Sequence, residues 1–169
     1  PYGISAGFSF ENTGDLIRAL KHGFPMSAFE NLRSAMDIPA KTLASVANIA
    51  GRTLSRRKKE GRLQTDESER LFRIAALYDR AVEVLGDGER ARVWFKGPKK
   101  ALGGETPLQY ADTEPGAREV ENLLGRLEYG VFSWVSDRGA SYRLAMRTGH
   151  SKEKERVFLE GAGIALELG

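Results

Sequence analysis

Apolar side chains recur at helical spacing along most of the chain up to Ser133, and sustained alternation of period two is nearly absent. In "DLIRALKH", Asp15 to His22, the residues Leu16, Ile17 and Leu20 share one helical face, and Gly23 supplies a stop. Pro25 then opens a second helix whose stripe is Met26, Phe29, Leu32 and Met36. "IPAKTLASVANIAG" sets Leu43, Val46 and Ala47 on one face of a third, closed by a glycine-containing turn. The order helix, short turn, helix is the pattern expected before the basic stretch that follows.

Downstream, Asp66 with Glu69 three residues on predicts the start of the most clearly marked helix, carried for about five turns by Leu71, Ile74, Tyr78, Val82 and Leu85. Gly86 to Gly88 breaks it, and Ala91, Trp94 and Phe95 predict a short helix with Trp94 in the core. Thr106, Pro107 and Gln109 have the form of a capping box with proline at the first helical position. Thr113, Glu114 and Pro115 open a last helix with Val120, Leu123, Leu124, Leu127 and Val131 as its apolar face, and Gly130 is the expected end. The fold class is therefore all-α, in two subdomains joined near residue 64. The expected division is a helix-turn-helix region over 1–64, a helical domain over 65–133 and a C-terminal extension over 134–169, where periodicity does not choose between strand, helix and tail.

The chain has 169 residues, 41% of them apolar, enough for a real core. Its formal net charge is only +3, so the placement of charge says more than the total. "RTLSRRKKEGRL", Arg52 to Leu63, sets six cations against one carboxylate. If it is helical, Arg52, Ser55, Arg56 and Lys59 share a face, and Leu54 lies nearly opposite, where it can dock on Leu43, Val46 and Ile49. That is what a DNA-reading helix needs: an apolar back, and arginines presented to guanine edges and phosphates. The plainer alternative is a solvated face, since Arg57 and Lys58 also point toward the Leu54 side. On this segment alone both readings stand.

The wider string closely resembles the Xre/MbcA/ParS antitoxin family from about Leu43 to Ser133. The marks are Arg52-Thr53-Leu54-x-Arg56-Arg57, Glu67-Ser68-x-Arg70-Leu71, Trp94, Leu102-Gly103-Gly104-x-Thr106-Pro107-Leu108, Thr113-Glu114-x-Gly116 and Gly125-Arg126-x-Glu128-x-Gly130-Val131. The resemblance implies an antitoxin of a type II toxin–antitoxin pair, with an Xre-like helix-turn-helix that binds its own operator DNA and a helical domain that binds a toxin. The implied toxin is a RES-domain protein that consumes NAD or transfers ADP-ribose from it, held inactive by the antitoxin's C-terminal region. Carried over by position, operator contacts fall at Arg52, Ser55, Arg56 and Lys59, and toxin contacts at Arg126, Glu128, Tyr129, Val131 and Phe132. The family pattern ends near Ser133, so three readings stand for the extension over 134–169: it lengthens the toxin contact, folds back on the domain, or reflects a divergent reading of the gene's end.

Tyr129, Phe132 and Trp134 have the character of interface anchors, with core packing as the alternative for each; Arg118 and Arg126 can pair with a toxin carboxylate or with Glu121 and Glu119 on their own helix, and the local pairing is the cheaper assumption. No cysteine is present, and the two histidines, His22 and His150, are far apart, so neither a thiolate nor a histidine-rich metal site is expected. "GAG" at Gly161 to Gly163 lacks the dinucleotide fingerprint, and Asp66 and Glu69 are accounted for by capping. The chain is expected to be no enzyme, to carry no cofactor, and to act in the cytoplasm without a membrane span. A homodimer is expected, because one helix-turn-helix reads a short half-site. The competing reading is a stand-alone helix-turn-helix transcription regulator whose C-terminal helices dimerise.

Overall fold

A computed structural model of the protein describes residues 3–138, with side chains through Gly130. The helices are α1 (Thr13–His22), α2 (Met26–Met36), α3 (Ala40–Val46), α4 (Gly51–Glu60), α5 (Thr65–Leu85), α6 (Gly88–Lys96), α7 (Pro107–Tyr110) and α8 (Glu114–Arg138), with 3-10 turns at Ile4–Ala6 and Lys100–Leu102. Among the described residues there is no strand, and Pro25 and Arg62 make one isolated bridge. The all-α expectation therefore holds.

α5 is the beam on which the rest is mounted. Leu71, Ile74, Leu77, Tyr78 and Ala81 are buried along it, and it packs against α1, α6, α8 and the N-terminal 3-10 turn. These residues belong to one buried cluster that runs from Phe24, Phe29 and Leu32 to Trp94, Phe95, Val120 and Leu124. The N-terminal turn is tied down by Asp79, whose carboxylate accepts the Gly3 N–H at 2.9 Å and the Ser5 N–H at 3.0 Å. Phe8 and Phe10 then lie over Phe24, with the Phe8 and Phe24 ring centres 4.5 Å apart.

Helix starts follow ordinary capping chemistry. The Asn12 side chain accepts the Asp15 N–H, which places the start of α1 just before the expected stretch. The Thr106–Gln109 box forms as expected, with Pro107 in the first turn. α5 differs: its capping box joins Gln64 and Glu67, not Asp66 and Glu69. The reason is burial, since Glu67 is drawn inward while Asp66 stays exposed and pairs with Arg70 at 2.9 Å.

Two further expectations are corrected. Leu16 and Leu20 pack on the core, but Ile17 is 45% exposed, so the apolar face of α1 is narrower than its sequence suggests. α8 passes straight through Gly130 to Arg138. Gly86 ends α5 because it adopts a left-handed φ of 92°, whereas Gly130 is not among the residues of positive φ, and a helical glycine costs only about 1 kcal/mol relative to alanine. At the other end of α8 a glycine is required: a Cβ on Gly116 would lie 1.9 Å from the Tyr110 carbonyl oxygen.

Candidate functional site

α3 ends in a Schellman arrangement that sets the direction of everything after it. The Ile49 N–H donates to the Ala44 carbonyl at 2.7 Å and the Asn48 N–H to the Ser45 carbonyl at 3.0 Å, with Asn48 in the left-handed region at φ 53°. Ile49 is buried against α3, and α4 begins two residues later from the extended Ala50. Leu54 then joins Leu43, Val46 and Ile49 in the core, as the sequence predicts.

With Leu54 inward, Arg52, Ser55, Arg56 and Lys59 are all exposed. The structure brings the four together on one outward face. Ser55 Oγ donates to the Gly51 carbonyl at 3.1 Å, and Arg56 sits 3.8 Å from Glu60 in an exposed pair of the kind worth little. Arg52 and Lys59 make no ion pair among the described residues. Lys58 is turned aside to Glu30 of α2 at 3.5 Å, and the hydrogen bond from Arg33, with Lys58 nearby, holds the Glu30 carboxyl below its ordinary range.

Arg57 behaves unlike its neighbours. It is buried, and its Nε donates to both oxygens of Glu67, at 2.8 and 3.1 Å, while Nη1 donates to Glu60 at 2.7 Å. These bonds, Glu67's first, raise the guanidinium further above its already high value. Three residues along α5, Arg70 Nε donates to the Ala47 carbonyl in the α3–α4 turn at 2.7 Å. Ser68, between them, accepts the Phe24 N–H at 2.8 Å and donates to the Gln64 carbonyl at 2.7 Å. The sequence turns Arg57 toward the Leu54 side but marks Glu67, Ser68 and Arg70 only as a string. Their purpose lies in contacts across α5 that local spacing does not reveal.

The second group lies along α8. Arg126 and Tyr129 point to solvent one turn apart, on a stripe continued by Glu119 and Asn122, and Tyr129 is 76% exposed. Glu128 is half-buried and accepts from Arg80 of α5, so it faces a different direction from its two neighbours. Val131 and Phe132 continue the helix, but their side chains, like Trp134, His150 and the glycine pair at 161 and 163, fall outside the described residues. The local pairing expected for α8 also differs: Arg118 meets Glu114 at 3.3 Å, not Glu121, and Arg126 makes no ion pair among the described residues.

Among the described residues no three potential metal-ligating side chains converge, and no helix is long and apolar enough to cross a membrane. Buried Trp94 packs beneath Lys99, whose ammonium lies 5.4 Å from the ring centre and donates to the Gly97 carbonyl at 2.9 Å. Burial lowers the Lys99 pKa to about 8.

Two family models match in tandem. The Antitoxin Xre-like helix-turn-helix domain covers residues 15–76, and the Antitoxin Xre/MbcA/ParS C-terminal toxin-binding domain covers 80–130. The chain is 38% identical to an Antitoxin Xre of Yersinia enterocolitica over 120 residues, 70% of this chain and 81% of that protein. It is 33% identical to an Antitoxin Xre of Photorhabdus laumondii over 135 residues, 79% and 91% of the two. A Prs ADP-ribosylating antitoxin of a Sphingobium strain is 24% identical over 129 residues, 70% of this chain and 81% of that protein. An all-helical body, a helix-turn-helix braced on α5 and a following helical domain agree with these matches, and the chain belongs to the Xre/MbcA/ParS family of toxin–antitoxin antitoxins, a family of binding proteins and not of enzymes.

Proposed function

We propose that this antitoxin neutralises a RES-domain toxin that consumes NAD or transfers ADP-ribose from it, and that it represses its own operon by placing α4 in the major groove of operator DNA. The observation that carries the DNA half is the division of α4 into a buried back, at Leu54 and Arg57, and an exposed front of Arg52, Ser55, Arg56 and Lys59. Arginine on such a front reads guanine edges and the others contact phosphate. Two copies, related by a twofold axis, would read two half-sites. The protein acts in the cytoplasm, where the operon and NAD are.

The toxin half rests on the outward stripe of α8, where Arg126 and Tyr129 stand clear of their own domain; Glu128, Val131 and Phe132 are added to the contact on the family resemblance alone. Tyrosine and arginine are among the residue types enriched at the energetic centre of protein interfaces. The name carried by the Sphingobium relative supports ADP-ribose chemistry in the partner. The test is to purify the chain at native abundance from its host and identify by mass spectrometry what co-elutes in near-equal amount. A small protein whose NAD-consuming activity appears once the antitoxin is stripped away supports the reading. Recovery of the chain with DNA and no protein partner overturns the toxin half.

A further inference from the structure

We infer that the buried Arg57–Glu67 pair is a positioning element for the operator-reading helix, so that discrimination between DNA sequences depends on two residues that touch no DNA. This rests on the operator-binding reading above. Of the five cations between Arg52 and Lys59, Arg57 alone is buried, at 7% exposure, and its guanidinium is committed to Glu67 and Glu60. A cation in a DNA-reading helix is normally kept for phosphate. Here it is spent on the protein's own scaffold.

The Glu67 carboxylate has two tasks. It accepts the Arg57 Nε–H through both oxygens, and Oε2 also accepts the Gln64 N–H at 2.8 Å, closing the first turn of α5. One acidic group thus fixes the end of α5 and the roll of α4 together. Three residues on, Arg70 holds the Ala47 carbonyl at 2.7 Å and is itself held by Asp66 at 2.9 Å. Residues three apart lie on one face of a helix, so a single face of α5 grips the helix-turn-helix at two points, one before α4 and one within it.

Two points fix an axis, and the directional Nε–H bond of a guanidinium held between Glu67 and Glu60 fixes the rotation about it. A buried pair of this kind is a poor source of stability, because desolvation of both ions offsets their attraction. What it supplies is geometry. Bidentate contacts to base edges tolerate little misplacement, whereas contacts to phosphate tolerate more and carry no sequence information. Releasing Arg57 should therefore degrade sequence preference while leaving general DNA affinity in place.

Glu67→Gln separates the two tasks, since glutamine at that position still caps Gln64 but no longer binds Arg57 as a charge. The probes are a duplex selected from a random pool by the wild-type protein and an unselected duplex of equal length. In Glu67→Gln, affinity for the selected duplex is expected to fall at least tenfold, and affinity for the unselected one to change less than twofold, with the same salt slope. The double variant Arg57→Met with Glu67→Gln removes the stranded buried charge. It is expected to melt within a few degrees of the wild type and still to lack sequence preference. Recovery of preference together with stability in the double variant overturns the inference, as does a parallel loss on both duplexes. A wild-type protein that selects no sequence removes the operator reading itself, and the inference with it, before any variant is made. Lys59→Ala, on the outer face at a position assigned to phosphate, is expected to weaken both duplexes alike and serves as the contrast.

Discussion

Arg80 of α5 donates Nη2 to the Glu128 carboxylate of α8, one residue before the exposed ring of Tyr129. Both side chains are about one-third exposed, so the pair is partly screened, and removing it should cost about 0.5–1 kcal/mol. A double-mutant cycle with Arg80→Gln and Glu128→Gln, followed by urea unfolding, is expected to return a coupling of that size. A coupling near zero would mean that the pair does not join the two helices in solution.

Tyr129→Ala should leave stability within about 0.5 kcal/mol, because the ring is already in water. The same change is expected to weaken a toxin complex by about 2 kcal/mol or more, as loss of a central aromatic anchor does. Calorimetric titration against the co-purified toxin reads this directly. Equal affinity for wild type and variant would move the toxin contact off this stripe.

Gly116→Ala is expected to destabilise by about 3 kcal/mol, since its Cβ would overlap the Tyr110 carbonyl at 1.9 Å and force α7 from α8. Gly125→Ala, where a Cβ meets nothing, should be neutral or slightly stabilising. Thermal melts of the pair side by side make the comparison.

Asn48 occupies the left-handed position that closes α3, where glycine carries no steric cost. Asn48→Gly is expected to change stability by no more than about 1 kcal/mol, and Asn48→Val to lower it by about 1–2 kcal/mol. A valine variant as stable as the wild type would mean that the α3–α4 turn has another conformation.

Lys99 gives a pH signature. Burial lowers its pKa from 10.5 to about 8, so in that window the unfolded chain holds a proton that the folded chain has released. Unfolding then takes up a proton, and stability rises as pH climbs from about 8 to 10.5. Lys99→Met should remove that slope and stabilise at pH 7 by about 2 kcal/mol. Urea denaturation at pH 7 and pH 9.5, wild type against variant, tests the sign.

Helix positions were legible in the sequence because they depend on local spacing: the Thr106–Gln109 box, the Leu71–Ile74–Tyr78 stripe and the Gly86 stop all recur in the structure. The outward face of α4 was legible for the same reason. What local spacing hides is a partner elsewhere in the chain. Asp66–Glu69 and Gln64–Glu67 both have the spacing of a cap, and only the pull of Arg57 on Glu67 selects the second. Gly130 has the composition of a stop but not the left-handed backbone of one. Glu128 and Tyr129, both carried over from the family resemblance, point about 100° apart as successive helical residues do, and local spacing does not show that Arg80 pairs with the first.

The two family matches meet inside α5, the first ending at residue 76 and the second beginning at 80. The buried Tyr78 lies between them, its hydroxyl 2.8 Å from the Ala35 carbonyl of α2 and 3.2 Å from the Gly88 carbonyl at the start of α6. A recombination that gave this chain another relative's C-terminal half would have to splice through a continuous rod and preserve its rotational register to within a single residue. The helix-turn-helix and the helical domain therefore share one rod, and hybrids between diverged relatives should fail at folding before either outer surface is tested.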